Sequence, residues 1–118
     1  MAAPNIAALT TITGKTDILA ATVTPTAIVT NSASSNKVLK INSLIVSNIN
    51  IYAATITVEL YRSSTAYPIA YKINIVPNTS TVILGKDTLI YLIEGDVLRL
   101  TASIDGYLSA ICSYEEIS

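Results

Sequence analysis

The sequence predicts an all-β chain, a single antiparallel β-sandwich or jelly roll of about eight strands formed by one domain over residues 1–118. Three observations carry this. The strand-favouring residues Ile (18), Val (8), Thr (15) and Tyr (7) make up 48 of the 118 residues. Apolar and polar residues alternate with a period of two through most of the second half, as in a strand with one face buried. Gly, Pro, Asn and Asp punctuate the chain at short intervals, which leaves no room for long helices.

Taken in order, Ile6 to Thr13 reads as a strand closed by a turn at Gly14-Lys15, and Ile18 to Thr24 as the next. Pro25 has no N–H to give to a ladder, so it marks an edge, a bulge or a crossing between sheets. Thr26 to Thr30 resumes the extended pattern, and Asn31 to Asn36 (NSASSN) is the most loop-like stretch. Val38 to Ile49 is apolar on both phases around Leu44-Ile45-Val46. That is expected of a central strand covered on both faces, or of a strand with a bulge.

In Ala54 to Arg62, the residues Ile56, Val58 and Leu60 take one face and Thr55, Thr57, Glu59 and Tyr61 the other. Ile69, Tyr71, Ile73 and Ile75 alternate likewise with Ala70, Lys72 and Asn74, which places Tyr71 in the core before Pro77 ends the strand. Thr79 to Leu84 runs into Gly85-Lys86-Asp87, and Thr88 to Ile93 into Glu94-Gly95-Asp96. Leu98, Leu100 and Ala102 then alternate with Arg99, Thr101 and Ser103. Asp105-Gly106 is the strongest hairpin signal, because a type I′ turn needs two residues tolerant of positive φ. In the last strand Leu108, Ala110, Cys112 and Tyr114 share a face.

Charged residues are 13% of the chain, against about a quarter in ordinary soluble domains, and the mean hydropathy is +0.54. Ser, Thr and Asn must then carry the solvated surface. Such a chain is expected to hide part of its outside against other subunits, since large apolar patches are rare on monomers. With no His there is no His-based triad and no His-ligated metal, and the scattered Lys and Arg make no basic patch for a nucleic acid. The longest apolar run, Leu89 to Ile93, is far short of the roughly 18 residues of a membrane-spanning helix. A chain without Trp or Phe also supplies poorly the aromatic girdles of a membrane barrel, so no membrane partner is expected. Met1-Ala2-Ala3-Pro4-Asn5 has no basic n-region, the first Lys being Lys15, which predicts no signal peptide and use without export.

The candidate chemistry is thin. Gly14-Lys15-Thr16 imitates the end of a phosphate-binding loop, but the position five before Gly14 is Leu9 rather than Gly, and a strand follows. Cys112 is in phase with Leu108 and Ala110 and has no His to activate it, so it reads as a buried structural thiol. Glu94 and Asp96 flank Gly95 and read as a solvated hairpin, with a weak Ca²⁺ site as the alternative. Glu115 and Glu116, adjacent on a strand, point to opposite faces. No catalytic, cofactor or metal residues are therefore assigned, and the chain is read as no enzyme. Tyr61, Tyr67 and Tyr71 surround one turn with Arg62, and Tyr and Arg are common interface anchors. Tyr61 and Arg62 are taken as interface candidates together with Tyr67. The uncharged, apolar segment Met1 to Leu9, with Pro4, Ile6 and Leu9, reads as a docking arm able to add to a neighbour's sheet edge.

Leu39-Lys40-Ile41-Asn42-Ser43-Leu44-Ile45-Val46-Ser47-Asn48 and Thr57-Val58-Glu59-Leu60-Tyr61 resemble stretches of small virion proteins of tailed phages, particularly cyanophages. So do Tyr91-Leu92-Ile93-Glu94-Gly95-Asp96-Val97-Leu98-Arg99-Leu100-Thr101-Ala102-Ser103 and the ending Ser113-Tyr114-Glu115-Glu116-Ile117-Ser118. The likeness begins at about residue 38 and consists of strand and turn patterns, not catalytic signatures. It implies a β-sandwich structural subunit, often trimeric, on a capsid, neck or tail. The expectation is a capsid decoration (cement) protein, located in the virion, whose partners are the major capsid protein, other virion proteins and its own copies in a homotrimer. The alternatives are a neck, tail or baseplate accessory protein, or a lectin-like module using Tyr61, Tyr67 and the Glu94/Asp96 turn.

Overall fold

Where β-branched residues alternate most densely, the backbone is extended. The structure, a computed structural model, describes residues 11–118. Among them are nine strands: β1 (Ile12–Ala20), β2 (Thr26–Thr30), β3 (Val38–Asn48), β4 (Ala54–Arg62), β5 (Thr65–Ile75), β6 (Ser80–Leu84), β7 (Ile90–Leu92), β8 (Val97–Ala102) and β9 (Leu108–Ile117). A 3-10 turn at Lys86–Thr88 separates β6 from β7. The expected docking arm at 1–9, and the expected first strand as far as Thr10, lie outside the described residues.

All pairings are antiparallel. One sheet has the order β1-β9-β3-β6, with β7 also on β3, and the other the order β2-β8-β4-β5. Because β6 pairs with Leu44–Ser47 and β7 with Leu39–Ile41, the two form one broken edge along β3. This is the strand order of a jelly roll: only the β4–β5 and β6–β7 connections stay within a sheet. The core lies between the sheets. Ile41, Leu44, Val46, Leu108 and Cys112 face Ile56, Val58, Leu98 and Leu100, each at most 1% exposed. Burying an Ile or Leu of this kind contributes about 1.5–3 kcal/mol.

Two buried asparagines close the ends of the sandwich. Asn48 Nδ2 donates to the carbonyls of Tyr52 and Ile75, and Asn31 Nδ2 to those of Lys37 and Leu92. One end carries the connections 21–25, 49–53, 76–79 and 103–107. The opposite end carries 31–37, 63–64 and 93–96, along with Thr11, which exchanges both backbone hydrogen bonds with Ser118.

Three local expectations are corrected. Gly14-Lys15 is no turn: β1 runs through it in unbroken register, Gly14 opposite Glu115 and Lys15 opposite Tyr114. Pairing with β9 holds the dipeptide extended, and Gly14 does not use positive φ. Asp105-Gly106 is not a hairpin, because β8 and β9 belong to different sheets. Gly106 does adopt φ 82, and the turn serves as a crossing in which Asp105 Oδ1 accepts the Val23 N–H. The hairpin lies instead at Ser63-Ser64, between β4 and β5, where Arg62 pairs with Thr65 and both serines sit at positive φ (52 and 60).

Tyr71 is not in the core but 63% exposed. Ile56 faces Ile73 and Val58 faces Ala70, so Tyr71 and Lys72 together oppose the single residue Thr57. Lys72 takes φ 49 and turns its N–H to the Thr57 hydroxyl. This bulge shifts the phase of β5 and swings Tyr71 outward, where the Lys72 ammonium lies 5.3 Å from its ring centroid.

Candidate functional site

The expected interface residues on β4 and β5 gather at the end of the sandwich that carries the Ser63-Ser64 hairpin. There a cleft of about 400 Å³ is lined by Tyr61, Arg62, Ser63 and Ser64 on one side and Ile93, Glu94, Gly95 and Asp96 on the other. Arg62 continues the inward phase of Ile56, Val58 and Leu60, so its side chain leaves the end of β4 on the core side. Asp96 likewise precedes the inward run Leu98, Leu100 and Ala102. The two meet: Arg62 Nε lies 2.8 Å from Asp96 Oδ1 and Nη2 2.5 Å from Oδ2. Asp96 Oδ2 also accepts the Ile93 N–H. The hydrogen bond to Asp96 raises the pKa of Arg62 above its ordinary value, against the opposing effect of burial.

The Glu94-Gly95-Asp96 hairpin is therefore not solvated as expected. Asp96 is 1% exposed, and both of its oxygens are committed to Arg62 and a backbone amide. Gly95, at φ 89, supplies the turn that a side chain would strain. Glu94 Oε2 accepts the Asn36 N–H, while its buried Oε1 meets no donor among the described residues. No group of three metal-ligating side chains gathers anywhere in the described residues.

Tyr61 projects from the outer face of its sheet and is half-covered by Arg99, whose guanidinium carbon lies 4.1 Å from the ring centroid. Arg99 Nε in turn donates to Glu59. Tyr67, opposite Leu60 on the edge strand β5, is 53% exposed. The other three expected interface residues, Pro4, Ile6 and Leu9, lie outside the described residues.

A second surface escaped the reading of the sequence. Ile18 on β1 pairs with Ile111 on β9, Ile111 with Ile45 on β3, and Ile45 with Val82 on β6. Their side chains form one apolar row across the outer face of the sheet, Ile18 being 77% and Val82 63% exposed. Hydroxyl rows flank it: Thr16, Ser113 and Ser43 on one side, and Ser109, Ser47 and Ser80 on the other. The row ends at β1, the edge strand whose register is uninterrupted, whereas β2, β5 and β6 all show shifts in theirs. A regular edge with free backbone groups is a template for another strand. The signal was present: Ile111 is out of phase with Ala110 and Cys112, and an isoleucine on the polar phase of a strand faces outward.

The remaining functional groups are quiet. Burial pushes the Cys112 thiol up to about 12, and the charge of Asp17 adds to the shift. Desolvation raises the Tyr114 phenol, reinforced by its hydrogen bond to Asp17 Oδ2 (2.8 Å). Compared with known proteins, the chain matches no family model and no curated sequence.

Proposed function

We propose that this chain is a virion structural protein of a tailed phage, a capsid decoration (cement) protein that bridges and stabilises neighbouring capsid subunits. The observation that carries the reading is the apolar row Ile18–Ile111–Ile45–Val82 beside the regular edge of β1, which pairs on one side only among the described residues. A face of this kind favours contact with another protein surface by roughly 25 cal/mol for each Å² of apolar area it covers. Repeated over many identical sites, contacts of modest strength add up through avidity. The jelly-roll order supports the reading by analogy of fold, since capsid proteins use it too. The likeness of residues 38–118 to small phage virion proteins points the same way. Its partners in this reading are the major capsid protein and its own copies, closed into a homotrimer.

The test adds the purified chain to capsids lacking it and counts the copies retained. A decorator binds on the order of hundreds of copies, and a neck, tail or baseplate ring one or two dozen at most, by the symmetry of those assemblies. Ile18→Lys, at an exposed position, should lower occupancy at least tenfold without lowering stability. Absence of the chain from both capsids and tails would sink the proposal.

A further inference from the structure

The two ends of the sandwich differ in chemistry. The end formed by the connections 21–25, 49–53, 76–79 and 103–107 exposes Val23, Ile49, Ile51, Tyr52, Val76 and Ile104, with Ile49 and Ile51 at 70% and 72%. These four connections contain one charged residue, Asp105, and one of its oxygens already accepts the Val23 N–H. The opposite end carries Lys37, Glu94, Asp96 and the Arg62 ion pair. Six side chains of this size cover on the order of 500 Å², the upper range for one patch on a monomer. That falls short of the roughly 800 Å² per partner of a stable interface, so pairing two such ends face to face would give a weak dimer.

We propose that this apolar end is a docking surface for Ala2–Leu9 of a second copy of the chain. The segment matches it in kind: residues 1–10 contain no charged side chain and include Met1, Pro4, Ile6 and Leu9. The chain also enters β1 at Thr11, at the polar end of the sandwich. Ten extended residues reach about 33–36 Å, so the segment meets its own apolar end only by running back along the whole of β1. Meeting the apolar end of a neighbour stacked head to tail takes a fraction of that length. The contact is heterologous, one copy's segment on the next copy's end, and it forms a ring where the rotation closes and a filament where it does not. It uses the end of the sandwich and not the face of the sheet, and it stands whether or not the chain sits in a virion.

Disulfide trapping tests it with full-length Ile6→Cys and Ile51→Cys chains mixed under oxidising conditions; Cys112 is buried and stays silent. The expected product is a dimer of one chain of each kind, at a yield at least fivefold above that of Ile6→Cys mixed with Lys86→Cys. Adding Tyr52→Asp to the Ile51→Cys chain should remove most of that excess, with circular dichroism confirming an unchanged fold. Equal yields at residues 51 and 86, or a yield insensitive to the added charge, overturn the proposal. So does a bond confined to single chains of the Ile6→Cys/Ile51→Cys double variant, which would mean that each segment covers its own end. Retention on neutral phosphatidylcholine vesicles that Tyr52→Asp abolishes, without any 6–51 dimer, would assign the end to a lipid surface and overturn it as well.

Discussion

Arg62 and Asp96 form a two-point ion pair in which the acid is buried and the base lies at the rim: Asp96 is 1% exposed, the Arg62 side chain 40%. The pair joins the end of β4 to the turn before β8 and sets the floor of the cleft beside Ser63 and Ser64. Removing the base leaves a buried carboxylate with one backbone donor.

Arg62→Met should therefore destabilise the fold by about 2–3 kcal/mol, less than for a fully buried pair because water can reach the vacated side. Asp96→Asn keeps an acceptor for the Ile93 N–H and should cost less, about 1 kcal/mol. Urea unfolding of the two variants checks the order. A cost below 0.5 kcal/mol for Arg62→Met, on the scale of exposed pairs, would show the pair to be a surface ornament.

Ser63 and Ser64 hold positive φ without the residues that favour it. An L-residue in that region costs roughly 1–2 kcal/mol, which Asn and Gly lower or abolish. The double substitution Ser63→Asn and Ser64→Gly should raise stability by about 1 kcal/mol, partly offset by the freedom Gly adds to the unfolded chain. Thermal unfolding measures it, and a lower melting temperature would contradict the turn geometry.

Glu116 binds Lys15 of β1 at 3.1 Å and Lys37 of the 31–37 connection at 3.3 Å. Burial opposes its charge, but hydrogen bonds from the two lysines outweigh burial and hold its pKa below the ordinary 4.5. Folded, Glu116 thus binds fewer protons than in the unfolded chain. Its contribution is complete above about pH 4.5 and is lost as pH falls through the folded value. Stability measured from pH 6 to pH 2 should decline over this acid limb, and Glu116→Gln should make the decline shallower. An unchanged slope in the variant would exclude Glu116 as a contributor.

Cys112, 0% exposed with its thiol raised to about 12, should resist alkylation in the folded protein at pH 8. Its labelling should keep pace with unfolding in denaturant. Fast modification of the native chain would mean that the core opens locally around β9. Cys112→Ser, which buries an unpaired hydroxyl, should cost about 1–3 kcal/mol.

Much of the fold is legible in the residues themselves. Side chains of a strand alternate, and an aqueous chain buries one phase, so Ile56–Leu60, Leu98–Ala102 and Leu108–Tyr114 announce their inner faces locally. Arg62 and Asp96 both extend inward phases by the same rule, but the turn at Gly95 made Asp96 read as solvated, and their pairing came only with the fold. Composition likewise announces a shortage of charge, to which the exposed row on β1, β9, β3 and β6 corresponds.

Other features depend on residues distant in the sequence. Whether Gly14-Lys15 turns or extends was decided by β9, which supplies a continuous ladder to it. Whether Asp105-Gly106 makes a hairpin depended on which sheet each flanking strand joined, and turn chemistry is blind to that. Tyr71 left the core because β5 bulges at Tyr71-Lys72 opposite Thr57 of β4, a register matter between two strands. The row Ile18–Ile111–Ile45–Val82 draws on four strands that span residues 12 to 117, and the apolar end on four connections equally scattered. Alternation within one strand is a local steric fact, carried by the sequence. Which faces and loops meet is set by long-range pairing, and only the tertiary structure decides it.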